Sequence, residues 1–187
     1  MLDFAATTVL GDDDLGRMAE ADLREAGITV DAMVDATRPT TNKNAIIVAD
    51  YRMLKVDTLD NRAISDRLVQ DICEHIQTYD SEAVVFSDFR HGIFNSHNIS
   101  DFVDAIPDDK FKVADSQVAS RWGNIIEFQG FDLISPNERE ARFALGDQDT
   151  VIRPLGSQLY ERAKCKTLML KLGPRGMITY RGPSDSD

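Results

Sequence analysis

The strongest constraint in this sequence is an alternation between two hydrophobic patterns. Ala83-Val84-Val85-Phe86-Ser87-Asp88 is a continuous apolar run closed by polar residues, as expected of a strand buried on both faces of a parallel sheet. The flanking segments follow the helical period instead. Ile64, Leu68, Ile72, Cys73 and Ile76 precede the run, and Ile99, Phe102, Val103 and Ile106 follow it, each set forming one apolar helix stripe. The alternation continues with strands at 111–115 and 131–134, helices at 136–145 and 155–163, and a strand at 167–172. Strands joined through helices of this length imply right-handed crossovers and an α/β fold, a doubly wound, mostly parallel sheet.

Two segments extend this scheme. Residues 4–10 read as a short strand, followed by a helix on Leu15, Met18, Ala19, Leu23 and Ala26 that stops at Gly27. Residues 43–58 break the rhythm: Ile46-Ile47-Val48, a polar Asp50-Tyr51-Arg52 break, then Met53-Leu54-Lys55-Val56 predict an antiparallel hairpin projecting from the sheet. No repeat is visible, and residues 184–187 read as a frayed acidic tail.

Charge narrows the partners. Thirty-two acidic residues against 21 basic ones give a formal charge of −11, which disfavours nucleic acid and anionic membranes as partners. No apolar run long enough to span a membrane and no secretory leader are visible, so the cytoplasm is the expected compartment. Cys73 and Cys165 lack metal-ligand spacing and are expected to be reduced and buried.

In a doubly wound sheet the ligand crevice lies beyond the carboxyl ends of the strands. The residues there are polar: Asp12 to Asp14, Ser87-Asp88, Asp115-Ser116-Gln117, Asn137 to Glu140 and the turn 173–176. The three aspartates at 12–14 stand where a helix dipole is positive, which accounts for them without a metal. In Ser135-Pro136-Asn137-Glu138-Arg139-Glu140 the spacing predicts Ser135 as N-cap, Pro136 in the first helical position and Glu138 closing a capping box. Asn137 and Glu140 then share a face near a helix N-terminus, an arrangement suited to a nucleotide phosphate and its hydrated magnesium, although a solvated first turn explains the same residues. Lys171-Leu172-Gly173-Pro174-Arg175-Gly176 is a strand-turn-strand connection with two glycines. His91 and His97 read as loop and cap residues. A separate reading gathers Asp12 to Asp14, Asp88 and Asp115 into the magnesium cluster of a phosphohydrolase.

Together these segments resemble the ribokinase-like, or PfkB-type, carbohydrate kinases, particularly the heptose-7-phosphate kinase domain of bifunctional ADP-heptose synthases. Gly11-Asp12-Asp13-Asp14-Leu15-Gly16 is similar to the family's Gly-Asp-Asp-x-x-Gly, and Arg38-Pro39-Thr40-Thr41-Asn42-Lys43 to its Arg-Pro-Thr-Thr-x-Lys lead into a lid hairpin returning through Leu54-Lys55-Val56-Asp57. Ser87-Asp88-Phe89-Arg90-His91-Gly92 is similar to Ser-Asp-Tyr-x-Lys-Gly, Val113-Ala114-Asp115 to the strand ending in Asp, Asn137 to Glu140 to Asn-x-x-Glu, and residues 171–176 to Thr-x-Gly-x-x-Gly.

The resemblance implies transfer of the γ-phosphoryl group of ATP to a hydroxyl of a small-molecule sugar or sugar phosphate. It implies Asn137, Glu140, Lys171, Gly173 and Gly176 as nucleotide-binding residues, Glu140 also serving Mg2+, and Lys43 and Asp88 as substrate-binding residues. It further implies one partial kinase domain over 1–187, with 38–58 as a lid hairpin able to clasp a second copy into a homodimer. His91, Ala45 and Lys171 depart from the family's Lys, Arg and Thr, which leaves the acceptor open. Neither Gly-Ala-Gly-Asp, which supplies the family's anion hole and general base, nor the Gly-Gly sugar segment expected before Phe4 occurs in the 187 residues. The expectation is an internal portion of a kinase that by itself lacks its catalytic base and associates through the lid or the cut surfaces. The competing reading is an inactive nucleotide- or sugar-binding module on the same scaffold.

Overall fold

The computed structural model describes residues 3–117 and 125–182, in two compact units, Met1–Ile64 and Ser65–Asp187. The predicted tail at 184–187 lies outside the described residues.

In the first unit, β1 (Ala5–Leu10) pairs in parallel with β2 (Thr29–Val34), with α1 (Asp14–Glu25) between them in sequence. The helix ends as expected, with Gly27 at φ +82°. The sequence reading assigned no strand at β2. Only Val30 in it is buried, so the segment has little apolar contrast to read.

Two glycines set the entry to α1. A Cβ on Gly11 would stand 2.6 Å from the Arg38 carbonyl oxygen, and one on Gly16 would stand 2.6 Å from the Gly11 carbonyl oxygen. Only glycine permits this approach. Asp13 caps the helix by accepting from the Gly16 N–H at 2.8 Å, and its other oxygen accepts from the Thr40 N–H at 2.8 Å. The Gly11 N–H in turn donates to Thr40 Oγ1 at 2.9 Å. The Gly-Asp-Asp and Pro-Thr-Thr segments thus lock each other in place.

β3 (Asn42–Val48) and β4 (Tyr51–Thr58) form the expected hairpin. Ala49 and Asp50 turn the chain with φ of +47° and +65°, the pair of left-handed residues of a two-residue type I′ turn. The break is therefore shorter than the sequence suggested, and the strand resumes at Tyr51. A register shift between Ile46 and Ile47 keeps Asn44, Val56, Ile46, Leu54, Val48 and Tyr51 on one face. The opposite face carries Lys43 with Asp57, Ala45 with Lys55, and Ile47 with Arg52. The hairpin's legs are tied to main-chain atoms: Arg38 Nη2 donates to the carbonyls of Arg62 and Ala63 at 3.1 Å, and Arg62 Nη2 to that of Thr37 at 2.8 Å.

The second unit is a five-stranded sheet in the order β5 (Ala83–Asp88), β6 (Phe111–Ser116), β7 (Leu133–Ile134), β8 (Thr167–Lys171), β9 (Met177–Tyr180). The first four strands are parallel, and β9 returns antiparallel after the glycine turn. Its helices are α2 (Asp66–Thr78), α3 (Ile99–Asp104), α4 (Glu138–Leu145) and α5 (Ile152–Ala163). Phe86 lies within 6.4 Å, ring centre to ring centre, of Phe94, Phe102, Phe128 and Phe131. Ile134, Leu155, Leu159, Leu168 and Leu170 are fully buried, each stabilising the fold by about 1.5–3 kcal/mol relative to exposure. Cys165 is buried as expected, and burial pushes its thiol up to about 11. Cys73 departs from expectation: it is only half-buried, with its Sγ donating toward the Asp101 carbonyl.

Candidate active site

The carboxyl ends of β6, β7 and β8 converge, and the chain leaving β7 stays extended beyond it. The Pro136 carbonyl accepts the Lys171 N–H at 2.8 Å, and Asn137 forms a parallel bridge with Lys171. Residues held in extended sheet pairing cannot take helical dihedrals, whereas an N-cap is itself extended, so Pro136 and Asn137 stay outside the helix and the cap falls two residues later than predicted. Asn137, not Ser135, is the N-cap. Its side-chain oxygen accepts from the Glu140 N–H at 2.9 Å, while its backbone N–H and its Nδ2 donate to the two Glu140 oxygens at 2.7 and 2.5 Å. This capping box binds the same Asn and Glu that the sequence offered to phosphate and magnesium. Ser135 Oγ instead donates to Asp115 Oδ1 at 3.1 Å.

Glu140 is 6% exposed. Burial pushes its carboxyl above the usual range, the Asn137 N–H and the Lys171 ammonium oppose that shift, and Asp115 adds to it. Lys171 Nζ reaches across the end of β7 to Asp115 Oδ1 at 2.7 Å, the two side chains being 40% and 43% exposed. Glu138 is freed from the predicted box. It accepts from Arg142 at 2.9 Å and also from Arg175, which ties the turn at Gly173–Arg175 to the first turn of α4. Both flanking glycines take left-handed φ, +61° at Gly173 and +88° at Gly176. The structure therefore brings Asn137, Glu140, Lys171, Gly173 and Gly176 together beyond the carboxyl ends of β7 and β8.

Asp88 ends β5 in the same unit but is 1% exposed. Its carboxylate lies 2.7 Å from Arg90 Nε, and it accepts from the Arg90 N–H at 2.7 Å and Ser116 Oγ at 2.8 Å. Burial raises its pKa, and Arg90 works against that rise. Arg90, 7% exposed and paired also with Glu127, sits at φ +56°. Lys43 is exposed on β3 of the first unit. Two of the carboxylates that the phosphohydrolase reading offers to magnesium are already engaged within their own units. Asp13 is committed to Gly16 and Thr40, and Asp88 to Arg90. Among the described residues no group of three or more His, Cys, Asp or Glu is placed to hold a metal ion.

Sequence reasoning missed the Asp115–Lys171 and Glu138–Arg175 pairs. Each residue was visible at a strand end or turn, but their pairing depends on the order of strands in the sheet.

The fold is the ribokinase-like α/β fold with a mostly parallel sheet. The structure matches ribokinase from Giardia lamblia with a TM-score of 0.75 at 19% identity, covering 95% of this chain and 59% of that one. It matches phosphofructokinase-2 from Escherichia coli, solved in complex with fructose-6-phosphate, with a TM-score of 0.72 at 14% identity, covering 96% and 60%. The pattern described as pfkB family carbohydrate kinase matches residues 2–186, and the chain belongs to that family. Among curated relatives, the chain is 26% identical to the bifunctional protein HldE of Helicobacter hepaticus over 152 residues, 78% of this chain and 31% of that protein. It is 33% identical to HldE of Caulobacter sp. (strain K31) over 140 residues, 74% and 28% of the two. The chain spans about a third of the length of the curated relatives it matches.

Proposed function

We propose that this chain carries the nucleotide side of an ATP-dependent kinase acting on a hydroxyl of a sugar or sugar phosphate, with a heptose phosphate as the first acceptor to try. The observation that carries this reading is the convergence of the Asn137–Glu140 box, Lys171 and the turn at Gly173–Gly176 at the carboxyl ends of the parallel strands. Phosphoryl transfer asks a protein for position and charge rather than covalent chemistry. Lys171 supplies a cation for phosphate. The glycine turn allows close approach of a nucleotide to backbone. Glu140 and Asp115 offer the hard oxygen donors that suit Mg2+, and since both Glu140 oxygens already accept hydrogen bonds, it would hold the ion through water. With so few carboxylates at hand, the phosphates themselves would provide most of its coordination.

On the acceptor side we assign Lys43 to the sugar. Asp88, being buried, serves by fixing the turn at Phe89–Gly92 rather than by touching substrate. The apolar hairpin face, with Ile46, Leu54, Val56 and Tyr51 exposed, is assigned to a homodimer contact, and the cytoplasm, where ATP is abundant, is the assigned compartment. Because the 187 residues contain no Gly-Ala-Gly-Asp, we assign them nucleotide binding without turnover in isolation. Calorimetry with Mg-ATP, beside ADP release over a panel of sugar phosphates, tests both halves. Binding that weakens in Asn137→Ala is expected. No binding to the chain would overturn the nucleotide assignment, and turnover at ordinary kinase rates would overturn the missing base.

A further inference from the structure

Lys171 does not stand free at the site. Its ammonium is held by Asp115, at the end of a strand two places away in the sheet, and Ser135 Oγ orients the same Asp115 oxygen. Both partners are about two-fifths exposed, so the pair can exchange with solutes, and neither is locked by burial as Asp88 and Arg90 are. Asp115 also acts on Glu140, raising its pKa while Lys171 lowers it. The three side chains therefore share one local field. An incoming triphosphate without a metal must draw Lys171 away from Asp115 and leave two carboxylates, Asp115 and Glu140, facing added negative charge. A triphosphate that brings its own divalent cation would meet no such penalty, because Asp115 would face that cation in place of the ammonium while Lys171 turned to phosphate.

We propose that Asp115 is a positioning residue which, by holding Lys171 in exchangeable reserve, makes the site select metal-bearing over metal-free nucleoside triphosphate. This rests on the nucleotide assignment above and goes beyond it, since that assignment requires no discrimination between the two forms. The opposite effects expected of the two partners separate exchange from mere structural support. Removing the aspartate takes away the competitor and the repulsion; removing the lysine leaves the carboxylates unopposed.

The test is calorimetric titration of the full chain with ATP in chelator and with Mg-ATP, at low salt, for wild type, Asp115→Asn, Lys171→Met and the double variant, with circular dichroism as the check on folding. Wild type is expected to favour Mg-ATP. Asp115→Asn should tighten metal-free ATP by about fivefold and narrow the preference, and Lys171→Met should widen it while weakening both forms. The shift in Asp115→Asn should shrink as salt is raised. A preference unchanged in Asp115→Asn, or moved in the same direction by both substitutions, overturns the proposal while leaving nucleotide binding intact. Should either single variant fail to fold, Asp115→Glu, which keeps the charge, is expected to preserve the wild-type preference, and its loss would count against exchange. Wild type that binds neither form overturns the nucleotide assignment itself, and this inference with it.

Discussion

Replacing Asp88 with Ala removes one side of a buried ion pair and leaves the other side in place. Breaking such a pair from one end costs about 3–5 kcal/mol, because the remaining charge is stranded away from water. Arg90 keeps its contact with Glu127, so the expected cost lies at the lower end, about 3 kcal/mol. A second contribution comes from the backbone. Arg90 occupies φ +56°, a conformation that costs a non-glycine residue about 1–2 kcal/mol, and the Asp88 side chain holds it there through the Arg90 N–H. Arg90→Gly should therefore cost less than loss of the ion pair alone would suggest, and a double-mutant cycle of Asp88→Ala with Arg90→Gly should yield a coupling of about 2 kcal/mol. Urea unfolding followed by circular dichroism measures all four corners. If Asp88→Ala costs under about 1 kcal/mol and the coupling is near zero, the pair does not fix this turn and the argument from burial is refuted.

Other consequences can be checked separately. Gly16→Ala would gain about 1 kcal/mol on helix propensity alone, yet its Cβ would meet the Gly11 carbonyl at 2.6 Å and Thr40 Oγ1 at 2.9 Å; thermal unfolding is expected to show net destabilisation, whereas Ala21→Gly on the exposed face of the same helix should show only the propensity loss. Asp88 has a raised folded pKa from a reference of 3.8, so its proton is bound more tightly in the folded state, and its contribution to stability falls as pH rises from below 3.8 through the raised value. Asp60, lowered to about 2, has the opposite sign and loses its contribution as pH falls through that value. Comparing urea midpoints of wild type and Asp88→Asn across mildly acidic pH isolates the first effect, and a difference that does not change with pH would refute it. The double substitution Ile46→Glu with Leu54→Glu should convert a dimer to a monomer in light scattering, and a wild type that is already monomeric at micromolar concentration would remove the hairpin contact.

Legibility in the sequence followed the strength of the local signal. The strand at Ala83–Asp88, outermost in its sheet, buries only Phe86 and Asp88 and leaves Val85 63% exposed instead of being buried on both faces. It and the helix at Asp66–Thr78 were readable because an apolar run and a helical stripe each leave a pattern in the chain. β2 was not, since a segment with one buried residue leaves almost none. The capping box shows a different limit. Ser135 and Glu138 have the right spacing, and so do Asn137 and Glu140; what decides between them is the pairing of Pro136 and Asn137 with Lys171, a contact 34 or more residues distant in the chain that no local rule contains. Asp88 shows a third. Its position at a strand end was legible, but its burial against Arg90 and Ser116 depends on how side chains pack after the strands align.

The anchoring of the ribbon formed by β3 and β4 has an evolutionary consequence. The arginines at its base grip carbonyl oxygens, which every amino acid possesses, so the span beyond them is free to drift in composition without loosening its foundation. Descendants could acquire a new tip, and with it a new companion or acceptor, as one transplantable cassette. Grafting residues 42–58 from a distant relative between Thr41 and Leu59 should give a folded chimera whose association follows the donor of the ribbon.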